Sequence, residues 1–517
     1  MTSKKRDKWA TKLGIIMAVA GSAVGLGNFL RFPVQATANG GGAFMIPYLI
    51  SLFLLGIPLM WVEWTVGRYG GGFGHGTAPG IFHTLWEKNR FIKYFGVIGI
   101  FGPLIIFVYY SYIESWILGY SFFSLIGKLA KANNPELLSS FLNGYQGLET
   151  NSFFSGVWIA YVFFILTFLI NIFVIYRGVS RGIEKLNKIA MPILFIFAII
   201  LVVKVAILRP NALYPSWNFI NGLGFLWNPD FSALKRADVW LAASGQIFFT
   251  LSVGIGVILT YASYLSKTDD VALSGLTAVG TNEFAEVILG GTIAIPAAFI
   301  FLGPIGAKAV AQGGAFDLSF LTMPLIFTQI PMGMFFAFLW FSMLFLAGVT
   351  SSVSLAQPAI AFLEDEFDIN RKKAVMIFAL VAFILAQPVI FFIKYGVLNE
   401  MDFWGGTFCL VLFATVEIIL FAWIFGIEKS WEEMHHGADI RIPKIYKFII
   451  KYITPLFLIF ILVFWLKQKG LATIMMTNIS NPALKKYIFA TRFGLILVFV
   501  ILAVLVKIAW RRKKLRR

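Results

Sequence analysis

Apolar runs of about 20 residues or more recur along the whole chain, and few charged residues interrupt them. Hydrophobic residues make up 59% of the sequence and charged residues only 13%, which excludes an ordinary soluble protein. Runs of this length cross a hydrocarbon core of ~30 Å as helices, whereas barrel strands would be shorter and would alternate in polarity. The sequence therefore predicts an all-α polytopic membrane protein.

Twelve of these runs are predicted to be transmembrane helices. The predicted spans are residues 11–37, 41–70, 91–124, 157–177, 188–208, 238–265, 272–302, 334–364, 373–393, 398–425, 447–468 and 483–508. Lys and Arg residues concentrate at both termini and in every second loop between the spans. Because cytoplasmic loops carry an excess of Lys and Arg, this side is predicted to be cytoplasmic, together with both termini. The net charge of +18 then reflects membrane orientation rather than a nucleic-acid partner.

The first span contains a glycine-rich interruption, residues 21–33, with the sequence GSAVGLGNFLRFP. A short second copy lies in the sixth span, since residues 23–27 read AVGLG and residues 252–256 read SVGIG. Glycines weaken a helix, and unpaired backbone groups at membrane depth persist only where they line a cavity or bind a ligand. Unwound segments in matching positions of two halves indicate a secondary transporter with its site near the bilayer midplane. The alternative is that the small residues only let two helices pack closely.

Polar residues inside the predicted spans share helix faces with apolar ones. The sets with helical spacing are Ala347, Thr350, Ser351 and Leu355 in the eighth span, Asn282 and Glu286 in the seventh, and Ile106 and Tyr110 in the third. Hydroxyls in membrane helices often bond back to a carbonyl one turn earlier, so each hydroxyl taken alone is weak evidence for a site. Buried carboxylates usually face a polar interior. Glu63, Glu114 and Glu417 fit either a structural hydrogen-bond network or a proton path.

The longer polar segments, residues 128–155, 209–238 and 303–332, fall on the predicted outer side. We expect segment 303–332 either to fold back toward the transport pathway as a lid or to be a plain connector. Asn478 is the only Asn-x-Ser/Thr sequon on that side, which fits a prokaryotic origin. The single cysteine, Cys409, allows no intramolecular disulfide, and the four histidines show no metal-ligand spacing.

Seven motifs, taken in their order along the chain, carry a resemblance to a known family. They are GSAVGLGNFLRFP (21–33), GGGAFMIPY (40–48), YYSYIESW (109–116), GQIFFTLS (245–252), NEFAEVILGG (282–291), AGVTSS (347–352) and EMDFW (400–404). Together they resemble the neurotransmitter:sodium symporter family, and they are most similar to its bacterial leucine-transporting members. The resemblance covers essentially the whole chain.

The resemblance implies a single transporter domain, residues 1–517, built on a 5+5 inverted repeat. Residues 11–208 would form the first repeat, residues 238–425 the inverted second repeat, and residues 447–508 the last two helices. Helices 1 and 6 would be the broken ones.

The resemblance also implies a substrate site and two sodium sites. The implied substrate-binding residues are Ser22, Ala23, Leu26, Gly27, Ile106, Tyr110, Phe249, Thr250, Ser252, Ile255, Ser351 and Leu355. The first sodium ion would be held by Ala23, Asn28, Thr250 and Asn282 together with the substrate carboxylate, and the second by Gly21, Val24, Ala347, Thr350 and Ser351. Both are all-oxygen sets, as a hard cation requires.

Gates are implied on both sides of this site. Arg31 and Asp402 would pair above Tyr110 and Phe249, which close over the substrate. The implied inner-gate residues are Arg6, Trp9, Ser263, Tyr264 and Asp365. Glu286 stands where chloride-dependent relatives have a serine, so its carboxylate would replace the chloride ion.

Gly25 stands where monoamine-carrying relatives have an aspartate, which favours an α-amino acid substrate. Ser22, Ile106, Ile255 and Leu355 depart from the leucine-transporting pattern, and volume alone does not rank leucine against methionine, valine or an aromatic amino acid.

The predicted function is chloride-independent, sodium-coupled symport of small hydrophobic neutral α-amino acids by alternating access in the cell (inner) membrane. The alternatives are a symporter that prefers an aromatic amino acid and a sodium-dependent amino-acid-binding sensor. A channel fits the predicted gates poorly, and the spans show no nucleophile–base pair or metal set that would indicate an enzyme. The expected partners are two sodium ions, a neutral amino acid and the lipid bilayer, with no organic cofactor; a homodimer is compatible with the resemblance.

Overall fold

The computed structural model describes residues 9–477 and 479–516. Its spanning helices and half-helices are α1 (Lys12–Ala23), α2 (Gly27–Ala38), α3 (Gly42–Gly71), α4 (Ile92–Leu125), α5 (Trp158–Tyr176), α6 (Val179–Ala206), α7 (Ala237–Leu251), α8 (Val257–Ala262), α9 (Ala272–Thr328), α10 (Gly333–Phe367), α11 (Arg371–Phe391), α12 (Val397–Ile424), α13 (Ile445–Ile474) and α14 (Pro482–Arg516). Shorter helices in the connections are Ala78–Leu85, Pro135–Tyr145, Phe219–Trp227 and Ile427–His435. Within the described ranges the only β contact is an isolated bridge between Gly41 and Pro229, which confirms the all-α class.

The number of membrane-crossing helices is close to the prediction. Ten helices in the described part of the chain are long and apolar enough to cross a membrane, and α1 with α2 forms an eleventh span that is bent by 46°. The predicted sixth span, residues 238–265, corresponds to α7 and α8, whose 15 and 6 residues are too few for either to cross alone. Length and composition therefore give eleven spans and leave the predicted twelve unestablished.

The predicted break in the first span lies between α1 and α2. The α1 helix ends at Ala23, and Val24 leaves the helical region with ψ 86°. The side-chain oxygen of Asn28 accepts a hydrogen bond from the Gly25 amide at 2.8 Å, which replaces a lost helical partner. The backbone amide of Asn28 donates to the Gly25 carbonyl at 3.3 Å. In a regular α-helix it would donate to the carbonyl of Val24, four residues earlier.

The second predicted break lies between α7 and α8, and it requires left-handed backbone. Ser252 has φ 54°, and Gly254 and Gly256 have φ 77° and 89°. Such angles are accessible to glycine at little cost, which explains the two glycines of the SVGIG motif. The two breaks meet, because the Ser252 hydroxyl donates to the Ser22 carbonyl at 2.9 Å. Both helix interruptions are thus confirmed and lie side by side.

The segment 303–332 is more ordered than a plain connector. Helical pieces fill most of it, and non-helical backbone separates them at Gly303 and Gly314, where φ is 69° and 91°. The predicted helix end at residue 302 agrees with the break at Gly303, since glycine and proline commonly terminate helices. The positive-φ glycine at each break redirects the chain before the next helical piece begins.

Arg68 anchors the end of the bundle at which the basic loops lie. Its guanidinium is buried and donates to the carbonyls of Asp269 and His436 at 2.6 Å each, to the Glu433 carbonyl, and to the Glu433 carboxylate at 3.0 Å. One side chain thereby ties α3 to the loop after α8 and to the helix Ile427–His435.

Replacing Arg68 with alanine is expected to lower the melting temperature of the purified protein in detergent by several degrees. Removing one partner of a buried ion pair costs about 3–5 kcal/mol, because the remaining groups stay buried without a donor. Arg68→Lys keeps the charge but not the planar fork, so an intermediate melting temperature is expected. Equal melting temperatures for Arg68→Ala and the wild type would contradict this role.

Candidate functional site

A cavity of about 300 Å³ lies where the two helix breaks meet. All twelve residues predicted to bind substrate line it: Ser22, Ala23, Leu26, Gly27, Ile106, Tyr110, Phe249, Thr250, Ser252, Ile255, Ser351 and Leu355. They come from five helices (α1, α2, α4, α7 and α10) and from both breaks, so the fold and not sequence proximity brings them together. The size is at the lower end for small-molecule sites, and the wall is mostly apolar with a few polar groups.

Glycine is needed at two points of this wall because other groups approach closely. The Phe249 ring packs against Gly27, and a Cβ atom added there would lie 2.6 Å from the ring. A Cβ atom at Gly25 would lie 2.9 Å from Ser351 Oγ and 3.4 Å from Tyr110 Oη. The Leu26 amide donates to the Tyr110 hydroxyl at 3.5 Å, which places the backbone of the first break and this phenol at the same part of the cavity.

Oxygen atoms converge at the residues predicted to hold the first sodium ion. The Asn282 side-chain amide lies 3.2 Å from the carbonyl oxygens of both Ala23 and Thr250, and with its nitrogen turned toward them it donates to both. The same amide lies 2.8 Å from the Asn28 side-chain nitrogen. Carbonyl, amide and hydroxyl oxygens are the ligands that a small hard cation prefers, so this junction suits such an ion once the Asn282 oxygen turns inward. The Asn28 oxygen, however, faces the Gly25 amide, and its amide group would have to turn to become a ligand.

The residues predicted to hold the second sodium ion lie between α1 and α10. The Ser351 hydroxyl is 3.4 Å from the Gly21 carbonyl and 3.2 Å from the Ser22 carbonyl. The Thr350 hydroxyl is 3.1 Å from the Ala347 carbonyl in its own helix. Val24 lies at the helix break, where its carbonyl lacks the usual partner four residues later. The structure thus brings the Ser351 hydroxyl to the Gly21 and Ser22 carbonyls, while the Thr350 hydroxyl is satisfied within its own helix.

Glu286 is fully buried beside the first of these clusters. Its carboxylate accepts hydrogen bonds from Gln246 at 2.9 Å and from the Thr250 hydroxyl. The Tyr48 hydroxyl is 3.0 Å from Glu286 and 2.7 Å from the Glu283 carboxylate, so two acceptors share its single proton. Sequence reasoning missed Tyr48 and Gln246, although both lie in quoted motifs. The donors around the buried Glu286 carboxylate favour a negative charge there.

The predicted outer-gate residues line the mouth of the cavity without pairing directly. No ion pair within 4.0 Å joins Arg31 to Asp402 in the described structure. The Arg31 guanidinium lies over the Phe249 ring at 4.6 Å from its centroid, and Asp402 accepts a hydrogen bond from Tyr109 at 2.7 Å. Each charge therefore has another partner in this structure.

The predicted inner gate is partly described. The Trp9 indole donates to the Tyr261 carbonyl at 3.0 Å, and the Tyr264 hydroxyl accepts from Gln357 at 2.6 Å. Ser263 donates to the Gly76 carbonyl at 3.4 Å and to the Thr260 carbonyl at 2.7 Å. Asp365 is half-buried at the end of α10, and Arg6 lies outside the described residues. Sequence reasoning missed Tyr261 and Gln357, which are the hydrogen-bond partners of Trp9 and Tyr264.

Further residues that the sequence analysis missed complete the cavity wall. Ser354 lies 2.7 Å from the Ser22 hydroxyl, and spacing of three from Ser351 on α10 was the available signal. Toward the mouth the wall is formed by Ile113, Ala315, Phe316, Phe320, Leu398 and Asn399. Ala315, Phe316 and Phe320 belong to the segment 303–332, which lies over the cavity as expected for a lid.

Comparisons with known proteins agree with this architecture. The sequence profile of the sodium:neurotransmitter symporter family matches residues 6–140 and 154–513. An uncharacterised sodium-dependent transporter of Methanocaldococcus jannaschii is 32% identical over 472 residues, which cover 89% of this chain and 90% of the relative. An uncharacterised sodium-dependent transporter of Bacillus subtilis is 32% identical over 480 residues, which cover 89% and 98%. The crystal structure of MhsT in complex with L-phenylalanine matches with a TM-score of 0.75 and 29% identity, covering 89% of this chain and 99% of MhsT.

These matches confirm the resemblance drawn from the motifs, and they place the chain among secondary transporters rather than enzymes. They also support sodium dependence in a multi-pass membrane protein with bacterial relatives. Both the family profile and the relatives extend over nearly the whole chain. The chain belongs to the sodium:neurotransmitter symporter family.

Proposed function

We propose that the protein is a sodium-coupled symporter of hydrophobic neutral α-amino acids that works by alternating access. The observation that carries this proposal is the shared position of the ion and substrate residues. Ala23 and Thr250 line the cavity, and the carbonyl oxygens of both lie 3.2 Å from the Asn282 side-chain amide. A substrate carboxylate in this cavity would complete the ion site, so sodium and amino acid would each increase the affinity for the other.

The backbone of the two breaks supplies the recognition of an amino acid. The substrate carboxylate would meet the amides of Leu26 and Gly27 and the hydroxyl of Tyr110. The substrate amine would meet carbonyls from Ala23, Phe249 and Thr250. This division is supported by the 3.5 Å approach of Tyr110 to the Leu26 amide and by the absence of a side-chain charge at Gly25. The substrate side chain would lie against Ile106, Ile255 and Leu355, all of which line the cavity.

Two sodium ions provide enough driving force for concentrative uptake. One cation entering down ~100 mV and a ~10-fold gradient releases roughly 3.7 kcal/mol. Two ions release about 7 kcal/mol, which supports accumulation on the order of 10⁵-fold. Two oxygen-rich clusters flank the cavity, and we assign one ion to each.

The choice between a leucine-like and an aromatic substrate depends on the apolar wall. MhsT, the structural relative, was crystallised with L-phenylalanine, and this supports the aromatic alternative. Competition among unlabelled leucine, methionine, valine and phenylalanine against labelled leucine, at constant sodium, ranks these side chains. Sodium-dependent displacement by at least one of them is expected, and its absence for all four would contradict the proposed substrate class.

We propose that transport does not depend on chloride, because the Glu286 carboxylate already provides the negative charge. Replacing Glu286 with serine is expected to make uptake chloride-dependent, since Gln246 would then lack an anionic acceptor and Tyr48 would keep only Glu283. Uptake is measured in chloride and in gluconate at constant sodium. Glu286→Gln is the matched variant, because it removes the charge but fills the space, and low uptake in both anions is expected. Wild-type uptake that rises with chloride would contradict the assignment.

The remaining parts of the proposal concern topology. We propose that both termini lie in the cytoplasm of a prokaryotic cell and that the protein resides in the cell membrane. Residues 11–208 and 238–425 would be the inverted repeats, which is supported by one helix break near the start of each. A homodimer remains compatible with this arrangement.

A further inference from the structure

The last helix, α14, is tied to the outer mouth of the cavity by one arginine. Arg492 donates through Nε and Nη2 to the two carboxylate oxygens of Glu400, at 2.8 and 3.0 Å. Its Nη1 donates to the carbonyls of Thr473 and Ile474 at 2.7 and 3.0 Å. The Arg492 and Glu400 side chains are only 13% and 12% exposed. This is a bidentate, charge-assisted pair that is shielded from solvent, unlike the surface pairs that contribute little.

The carboxylate of Glu400 is held from its own helix as well. The Trp404 indole donates to it at 2.9 Å, and the Arg492 guanidinium lies 5.4 Å from the centre of the Trp404 ring. A second contact lies nearby, where Tyr487 of α14 stacks on Tyr395 with 3.9 Å between the ring centres. The outer end of α14 is therefore held at two points: at Glu400 near the start of α12, and at Tyr395 just before it.

The segment that α14 contacts includes Asp402, a residue of the predicted outer gate. Glu400 lies two residues before Asp402, and Leu398 and Asn399, on its other side, line the cavity mouth. From Asp402 to Phe408 the chain forms a π-helix, which has wider turns than an α-helix. A shift of the turn that contains Glu400 would therefore change the direction in which the Asp402 side chain points. The cavity wall includes no described residue of α14, so Arg492 acts on the cavity only through Glu400.

We propose that Arg492 is a positioning residue of the outer gate: its pairing with Glu400 fixes the turn of α12 from which Asp402 faces the cavity. This inference rests on the proposed transport function. Asp402 then stays in place when the mouth closes, and the residues that move toward it are Arg31 and Phe249. The last helix, which lies outside both proposed repeats, thereby acquires a role in the transport cycle.

The test compares Arg492→Ala with Lys486→Ala, which removes a positive charge from an exposed position near the same end of α14. Uptake kinetics are measured in sealed vesicles. Arg492→Ala is expected to raise KM for the amino acid about tenfold with kcat within about twofold, because a displaced Asp402 weakens closure over the substrate. Arg492→Lys, which forms one bond where arginine forms two, should give an intermediate KM. Lys486→Ala should match the wild type.

A second measurement reports the mouth directly. Ile113, in the cavity wall on α4, is replaced by cysteine in a Cys409→Ser background, and the rate of labelling by a membrane-impermeant thiol reagent is measured. Sodium with amino acid should slow labelling in the wild-type background, and Arg492→Ala should lose most of this protection. If the unmodified gate shows no protection, the proposed function fails. If it shows protection and Arg492→Ala shows the same protection, the positioning role fails.

Glu400→Gln provides an independent variant if Arg492→Ala does not fold. It removes the charge of the acceptor while keeping its shape, and it should produce the same rise in KM. Because both changes break one interaction, the double variant Glu400→Gln with Arg492→Ala should be no worse than the single ones. Additive effects on KM would overturn the proposal.

Discussion

Replacing Thr250 with valine is expected to weaken sodium binding and amino-acid binding together, each by about tenfold or more. Valine keeps the shape of the side chain and removes only the hydroxyl. That hydroxyl donates to Glu286. It also lies 3.0 Å from the Asn282 side-chain amide and 3.2 Å from the Asn28 side-chain nitrogen. Its loss leaves the buried Glu286 carboxylate one donor short and disturbs the oxygen cluster that would hold the first ion. The effect on the substrate follows because the substrate carboxylate is proposed to complete that cluster.

Equilibrium titrations of sodium and of labelled leucine on the purified protein measure both affinities. Thr415→Val is the matched control, since Thr415 is a buried threonine whose hydroxyl bonds only to the Val411 carbonyl of its own helix. Asn28→Ala should resemble Thr250→Val, because both alter the same cluster. If Thr250→Val keeps both affinities at the level of Thr415→Val, the first sodium site is misassigned.

Replacing Gly25 with aspartate is expected to abolish amino-acid binding. A Cβ atom at this position would lie 2.9 Å from Ser351 Oγ and 3.4 Å from Tyr110 Oη, so the new carboxylate would occupy the space proposed for the substrate carboxylate. Two carboxylates about 4 Å apart repel strongly where water is largely excluded, by about 4 kcal/mol even at an effective dielectric constant near 20. That energy corresponds to a loss of affinity of roughly 10³-fold.

Gly25→Asn separates the charge from the volume, since asparagine has nearly the same shape and no charge. We expect Gly25→Asn to lose part of the affinity through crowding against Ser351, and Gly25→Asp to lose all measurable binding. Binding of labelled leucine at saturating sodium is the measurement. Similar affinities for the two variants would show that the substrate carboxylate lies elsewhere.

The helix breaks could be predicted because they follow from local chemistry, whereas the cavity-wall residues were predicted from the family resemblance. Glycines beside polar residues in an apolar run leave backbone groups unpaired, and those groups must face a cavity. Both breaks lie where the sequence indicated, and the twelve residues inferred by resemblance line one cavity. The role of each of these residues in binding stays a prediction.

Other features depend on packing between distant segments and left little local signal. The segment 303–332 left a lid and a plain connector open from sequence; in the structure it forms helical pieces that break at Gly303 and Gly314 and place Ala315, Phe316 and Phe320 in the cavity wall. Arg31 and Asp402 were expected to pair. In this conformation Arg31 instead lies over the Phe249 ring, and Asp402 accepts a hydrogen bond from the Tyr109 hydroxyl. Arg492 lies 92 positions after Glu400 in the sequence, and no pattern in either segment predicts their contact.

The measurement that tests the central claim most directly is uptake of labelled leucine and labelled phenylalanine by the purified protein in sealed vesicles. Sodium outside the vesicles is replaced by potassium in the control. Accumulation above the external concentration that requires the inward sodium gradient, for at least one of the two, is the expected result. Sodium-dependent binding in detergent without accumulation would favour a sensor over a symporter. Absence of both sodium-dependent accumulation and sodium-dependent binding would contradict the assignment of the cavity as an amino-acid site.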